Sequence, residues 1–402
     1  MQHLEVTPES TKNHHLEHLE DLIFNRGYAG AQSALDYVES IRKLLSDGTS
    51  ATKLTVKWDG CPAIICGIDP ADGRFFVGTK AVFSKSNPRR CKSTDDIRLF
   101  YSEHPGLVIK LESALRNLPK LNISGVLQGD LMFTEGDVTT VSVNNEDCYV
   151  FTPNTITYTV PVNSQLGQTI AKANIGIIFH TMYEGDTIND MTASFGVDIS
   201  GFEKHSSVWF DDATYKDYTS LAPLENIKIQ QHISATSSIM EKLGPARFNI
   251  IIQDKGFART VKPYINKEIR RGVHVNDPHS FLKGFVHHYT EDQMKGIELL
   301  SGGIQGTHAQ KRFDKIKQRK DWLAENSATL LDVLAVYNSF IEVKQLILQK
   351  LYQVDSIGTF QKTNDGYTAT TPEGFVAIGH NGSAVKLVNR LEFSRTNFAK
   401  KV

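Results

Sequence analysis

The amino-acid sequence predicts an α+β protein: an antiparallel-sheet-rich domain with a large helical insertion and an N-terminal helical segment. Three observations carry this. Residues 15–46 and 224–353 repeat apolar side chains every three or four positions, the period of an amphipathic helix. From Leu54 to Ile199 the period falls to two, as in strands. Phe360 to Arg390 returns to short strands, so a helical block of about 130 residues splits the β signal. The simplest layout is a helical segment at 1–50, one sheet domain at 51–200 and 355–402, and a mainly helical insertion at 201–354. Two unrelated β domains are the alternative.

The elements follow in order. Leu16, Leu19, Leu22 and Ile23 mark a first helix, and Ala34, Leu35, Val38, Ile41, Leu44 and Leu45 a second, with Asn25-Arg26-Gly27 as the break. Strands are expected at Leu54–Lys57, Ala63–Ile68, Arg74–Thr79, Gly125–Phe133, Tyr149–Thr152, Thr155–Val160 and Ile175–Met182. Asp72-Gly73 is a hairpin signal that returns Arg74–Thr79 beside the Lys57 segment. Thr94–Leu118 reads as helical. Ile229–Lys242 and Leu330–Tyr352 carry long helical patterns. The last strands are Phe360–Thr363, Tyr367–Thr370, Phe375–Ile378 and Val385–Val388, with a turn at Asn364-Asp365-Gly366.

Composition narrows the class. The 402 residues are 40% hydrophobic and 22% charged, which excludes disordered, collagenous and disulfide-scaffold chains. No stretch approaches the roughly 18 apolar residues of a membrane span. Met1 to Lys12 is polar, so no signal peptide is expected and the compartment reads as cytoplasmic. Cys61, Cys66, Cys91 and Cys148 form no CxxC pair, so zinc-type spacing is absent. They read as free thiols, with two disulfides as the alternative.

The chemistry concentrates in a few strand ends. In Lys57-Trp58-Asp59-Gly60, Lys57 closes a strand and Asp59-Gly60 turns the chain. A lysine held there is a candidate nucleophile once desolvation or nearby cations lower its pKa. The competing reading is a surface lysine before a turn. Lys80 ends the next hairpin strand. Asp130 interrupts the apolar run Gly125–Phe133, where a buried carboxylate needs a partner such as a cation or metal; a solvent-facing strand position is the competing reading. Phe179 closes the apolar run Ile175–Phe179, where plain core is the competing role. Glu373 opens Glu373-Gly374-Phe375-Val376, and Lys386 follows on the next strand.

In this order the segments resemble the covalent nucleotidyltransferase superfamily of polynucleotide ligases and mRNA capping enzymes. Lys57-Trp58-Asp59-Gly60 resembles motif I and Gly129-Asp130-Leu131-Met132 motif III, where Glu is commoner. Ile177–His180 is similar to motif IIIa, Glu373-Gly374-Phe375-Val376 to motif IV and Ala384-Val385-Lys386-Leu387 to motif V. The strand ending Thr79-Lys80-Ala81 is most similar to phage-type ATP-dependent RNA ligases. The resemblance covers roughly 52–200 and 360–390. It departs from the family in one motif V lysine instead of two and in a long gap between motifs IIIa and IV. Only twelve residues follow Arg390, too few for a C-terminal OB domain.

The resemblance implies an adenylation domain that joins 5′-phosphate and 3′-hydroxyl ends through a lysyl-AMP intermediate, on RNA in preference to DNA. Its cofactors would be ATP and Mg²⁺, with Mn²⁺ as a substitute. Lys57 would be the nucleophile, and Lys80 and Lys386 would contact phosphates. Asp130 and Glu373 would hold ribose hydroxyls or the metal. Phe179 would stack on the base, and Asp59 would orient the loop or a metal-bound water. The alternatives are a DNA ligase without an OB domain, a capping guanylyltransferase, and a non-catalytic nucleic-acid-binding protein that keeps the fold.

Net charge is −1, but it is unevenly spread. Residues 255–320 hold fourteen Lys or Arg and six Asp or Glu, a net of +8, which leaves 30 basic and 39 acidic residues elsewhere. Lys311, Lys315 and Arg319 recur every fourth residue, on one helical face that suits a phosphate backbone. A solvated face is the competing reading. His14 and His18 have the spacing of a metal pair, but an exposed helix face explains them without a metal. Arg390 and Arg395 are either phosphate contacts or a solvated tail.

Overall fold

The computed structural model of the chain describes residues 16–143, 146–215, 220–273, 275, 277–299, 306–352, 358–363, 366–369, 373–379 and 382–391. It begins with β1 (Glu17–His18) and α1 (Leu22–Asp47), then β2 (Lys53–Lys57), β3 (Ala63–Ile68) and β4 (Phe75–Gly78). Helices α2 (Thr94–Tyr101) and α3 (Pro105–Asn117) precede β5 (Val126–Thr134), β6 (Thr139–Val143), β7 (Glu146–Phe151) and β8 (Thr157–Pro161). The short α4 (Gln165–Ile170) leads to β9 (Ile175–Glu184), β10 (Thr192–Phe195) and β11 (Val208–Asp212). A helical run follows: α5 (Pro223–Phe248), α6 (Ile250–Gln253), α7 (Lys255–Arg270), α8 (Pro278–Glu298), α9 (Thr307–Glu325) and α10 (Ser327–Leu351). The chain closes with β12 (Gly358–Thr363), β13 (Gly366–Ala369), β14 (Gly374–Ile378) and β15 (Ala384–Leu387). The protein is α+β, with largely antiparallel sheets.

Two compact units emerge, one of Met1–Leu16, Thr52–Tyr218 and Tyr352–Lys386, the other of Glu17–Ala51, Thr219–Leu351 and Leu387–Val402. In the first unit, the central sheet runs β10-β9-β5-β3-β4, with β11 parallel to β9. A second sheet runs β13-β12-β8-β7-β6, and β15-β14-β2 stand side by side in a third. The inner strands β3, β5 and β9 are largely buried on both faces and read as apolar runs, broken in β5 at Gln128 and Asp130. On one face Ile97, Tyr101, Leu111 and Ala114 of α2 and α3 cover Ile64, Leu127, Ile177 and Phe179. On the other, Met132, Phe133 and Ile178 meet Phe151, Tyr158 and Trp209.

The hairpin at Asp72-Gly73 forms, with Gly73 at φ +69° and its N–H donating to the Asp69 carbonyl at 2.8 Å. Its placement corrects the expectation. β4 pairs with β3, Ile65 opposite Gly78, whereas the Lys57 strand β2 pairs with β14 in another sheet. The helical stretch expected over 94–118 breaks after Tyr101, and Pro105 starts a new helix, where its missing N–H costs nothing. Ser93 and Asp96 cap the first piece reciprocally.

In the second unit α1 bends at Gly27, where a break was expected; φ is +57° there. A side chain at Gly27 would strike Asn249, whose Oδ1 accepts the Tyr28 N–H at 2.8 Å. Asn249 thereby satisfies an amide that the bend releases. The N-terminal helix packs against α5 and α10, so it belongs with the insertion and does not form a segment of its own. At the heart of this unit both carboxylate oxygens of Glu20 lie 2.7 Å from Lys344 Nζ. Arg390 joins them, 3.0 Å from Asp21 Oδ1. Arg390 is therefore a buried structural cation, neither a phosphate contact nor a solvated tail. His18 lies in β1 and not on a helix. His14 and Arg395 lie outside the described residues. All four cysteines are free, Cys61 exposed and the others buried.

Candidate active site

β2 and β14 run antiparallel with Lys57 opposite Gly374. That register brings Glu373, the residue before β14, against Lys57, and Nζ forms an ion pair with Oε2. The Lys57 side chain keeps 26% of its exposure and Glu373 only 9%. Burial pushes the Glu373 carboxyl above its ordinary range, against the opposing pull of the Lys57 and Lys386 cations. Lys386 lies on β15, next to β14 in the sheet. Three strands thus gather a lysine, a glutamate and a second lysine from opposite ends of the chain.

The loop after Lys57 is stitched onto β5. The Cys61 N–H donates to the Leu131 carbonyl at 2.9 Å, and the Leu131 N–H donates to the Pro62 carbonyl at 3.1 Å. Gly60 is required here, because a Cβ would sit 2.6 Å from that of Asp130. Asp59 is buried and accepts from Asn154 Nδ2 at 2.8 Å and from the Thr155 and Ile156 amides at 2.7 Å. Its own N–H donates to the Tyr158 hydroxyl at 2.9 Å. Of its two expected roles, Asp59 fills that of organising the loop. Trp58 lies against Tyr158 with ring centroids 5.3 Å apart.

Asp130 therefore sits beside the Lys57 loop. Its partner is His180, with Nε2 3.6 Å from Asp130 Oδ1 and Nδ1 2.7 Å from the Thr181 hydroxyl. A bulge produces this pairing: Gln128 faces Thr181 and Gly129 faces Phe179, so His180 is an extra residue on β9. Burial pushes the Tyr158 hydroxyl far up, and Asp59, Glu373 and Asp130 add to that shift.

Phe179 corrects the expectation of a base-stacking ring. Asp130 pairs with Ile178, so Phe179 faces the other side of the sheet. It is fully buried there, edge-on to Phe202 at 5.7 Å. Lys80 is exposed and follows the end of β4 that lies toward Ala63 and Asp130. Lys110 is a lysine the sequence patterns did not single out. From α3 its Nζ donates to the Cys61 carbonyl at 3.0 Å, and only its place on an amphipathic helix was readable. Among the described residues no three His, Cys, Asp or Glu converge as a metal cage. Glu373 is engaged by Lys57 and Asp130 by His180.

In the second unit Lys311 and Lys315 are exposed on α9. Arg319 is not, which corrects its assignment as a phosphate contact. It keeps 8% exposure, donates to Asp254 Oδ1 at 2.7 Å, and lies over the Trp322 and Tyr289 rings at 5.1 and 5.6 Å.

No helix among the described residues is long and apolar enough to cross a membrane. A protein-family model matches residues 13–401, and the chain belongs to that family, described as a family of unknown function (DUF6267). No curated protein and no solved structure matches the chain.

Proposed function

We propose that the β-rich unit is a covalent nucleotidyltransferase of the adenylation-domain type, and that the protein is an ATP-dependent polynucleotide ligase acting on RNA. The observation that carries this reading is the Lys57–Glu373 pair with Lys386 on the adjoining strand. The whole helical insertion separates these residues in sequence. The candidate motifs I, IV and V nevertheless meet at one sheet, with the candidate motif III acid, Asp130, beside the Lys57 loop.

The residues suit an in-line displacement at phosphorus, where positioning and charge neutralisation dominate. Glu373, whose carboxyl is raised by burial, accepts the Lys57 proton. The amine attacks the α-phosphorus of ATP; an N–P bond forms, the P–O bond to the β-phosphate breaks, and pyrophosphate leaves. A 5′-phosphate oxygen then attacks the same phosphorus and displaces Lys57, which regains its proton. A 3′-hydroxyl oxygen finally attacks the activated 5′-phosphate, gives its proton to solvent and expels AMP. Lys386 holds the phosphates from β15, and Lys80 and Lys110 add positive charge near the loop. Asp130 would hold Mg²⁺ on the triphosphate, where the ion supplies charge neutralisation.

The test is transfer of label from α-labelled ATP to the protein on a denaturing gel. Label is expected on wild type and absent from Lys57→Ala. An unlabelled wild type, with ATP or GTP and with Mg²⁺ or Mn²⁺, would sink the reading. A second reading is a nucleic-acid-binding protein that keeps the fold without the chemistry. The burial of Phe179 and the single lysine on β15 favour it, and the same gel decides. Nicked RNA, nicked DNA and single-stranded RNA then separate an RNA ligase from a DNA ligase.

A further inference from the structure

The basic helices of the second unit carry more than the α9 face. Helix α7 holds Lys255, Arg259, Lys262, Lys267 and Arg270, with Glu268 as its sole acid. Lys255 and Arg259 are exposed, about 6 Å apart along the axis at 1.5 Å per residue. Lys311 and Lys315 repeat that spacing on α9. None of these four cations forms an ion pair among the described residues. Arg319 continues the Lys311–Lys315 row by one more turn. There it turns inward and binds Asp254, the residue that caps α7 and directly precedes Lys255. A side chain at Gly256 would collide with the Arg319 guanidinium, so the two helices meet at that point.

We infer that Lys311 and Lys315 of α9 and Lys255 and Arg259 of α7 form one phosphate-binding surface for a nucleic-acid strand, with Arg319 as the bolt that aligns the two rows. Unpaired cations at one-turn spacing match a partner with closely repeated negative charge, and the counterions that partner releases favour binding. Arg319 contributes by position: its Nη2 is held by Asp254, and its Nε and Nη1 are buried out of reach of a phosphate. The inference rests on the nucleic-acid part of the proposed function and not on the Lys57 chemistry.

The test uses the full chain and a fluorescein-labelled, 5′-phosphorylated single-stranded RNA, read by anisotropy across a salt series. Lys255→Glu/Arg259→Glu and Lys311→Glu/Lys315→Glu should each weaken binding at least about tenfold. Each should also flatten the plot of log affinity against log salt by roughly 0.7 per lost contact. Lys283→Glu/Lys295→Glu, at two exposed cations of α8 outside both rows, changes net charge equally and should leave both quantities near wild type. Equal losses in all three variants would reduce the effect to net charge and overturn the surface. Binding to phosphatidylserine vesicles through these residues, without RNA binding, would overturn the choice of partner. Circular dichroism melts confirm that each variant is folded. Self-labelling reads the other site separately: RNA binding through these residues without labelling keeps the surface and removes the ligase.

Discussion

Two lysine–glutamate pairs, one in each unit, show how surroundings divide the same chemistry. Lys344 and Glu20 are almost completely buried, and both Glu20 oxygens meet the ammonium at 2.7 Å. Arg390, Asp21 and the Tyr337 hydroxyl complete a network in which the charges are compensated. Lys57 and Glu373 are different: the lysine stays partly open, and the buried glutamate has its carboxyl raised. A closed network of this kind holds a fold together. A half-open pair whose carboxyl is raised suits a proton passed from lysine to glutamate. Removing one member of each pair should therefore have opposite consequences.

Lys57→Ala should abolish self-labelling, a loss of all signal, while costing less stability than Lys344→Ala, because burial already favours the protonated form of the Glu373 carboxyl. Lys344→Ala should do the reverse. It leaves Glu20 in a dry interior with the longer Arg390 contact at 3.5 Å, which costs about 3–5 kcal/mol, a large share of the 5–15 kcal/mol typical of a folded protein. Urea unfolding followed by circular dichroism and the gel assay, run on both variants, checks the contrast. A Lys57 variant that melts early but still takes label would reverse the two assignments.

Acid should sharpen the same distinction. Lys344, His18 and Arg390 outweigh the burial penalty on Glu20 and lower its carboxyl to about 2. A depressed carboxyl contributes stability above its unfolded value, about 4.3, and that stability is lost as pH falls toward 2. Glu373 has the opposite sign. Its raised carboxyl costs stability as pH climbs from about 4.3 through the folded value, because ionisation is harder in the native state. Urea midpoints between pH 3 and 7 should therefore depend less steeply on pH in Glu20→Gln. Glu373→Gln should remove a small opposing slope, slow labelling by about 10²–10⁴-fold as expected for loss of a proton acceptor, and erase the acid limb of the labelling profile. An acid limb that persists in Glu373→Gln would assign the proton to another group.

Much of this arrangement was legible beforehand. Lys57 at a strand end, Asp130 within an apolar strand and Glu373 before β14 all stand where alternation placed them. The hairpin at Asp72-Gly73 was legible because Gly73 needs positive φ. Its neighbour was not, since local turn chemistry does not say which distant strand β2 pairs with. Arg319 shows a limit of helical periodicity, which groups residues on a face without saying whether another helix covers part of it. Membership of the Glu20–Lys344 network also escaped, because the two residues lie 324 positions apart and each reads alone as a surface charge. Lys110 escaped for a similar reason: its role comes from one hydrogen bond to the loop after Lys57.

Phe179 gives the smallest effect and the most discriminating one. Residues 175–179 are apolar and buried on both faces of β9, so period-two patterning could not say which face Phe179 occupies. The bulge at His180 settles the geometry and was invisible in the sequence. Phe179→Leu should behave as a core substitution that leaves a modest gap, costing about 1–2 kcal/mol of stability without changing the KM for ATP in the labelling assay. A ring that stacks on the base would give a different pattern, with KM rising about tenfold and stability unchanged, since base–aromatic stacking is worth roughly 1–3 kcal/mol. His180→Ala is the companion variant: its ring lies beside Asp130, so it should raise KM a few-fold and leave the melting curve near wild type. If Phe179→Leu changed KM and His180→Ala did not, the face of β9 assigned to the nucleotide would have to be exchanged.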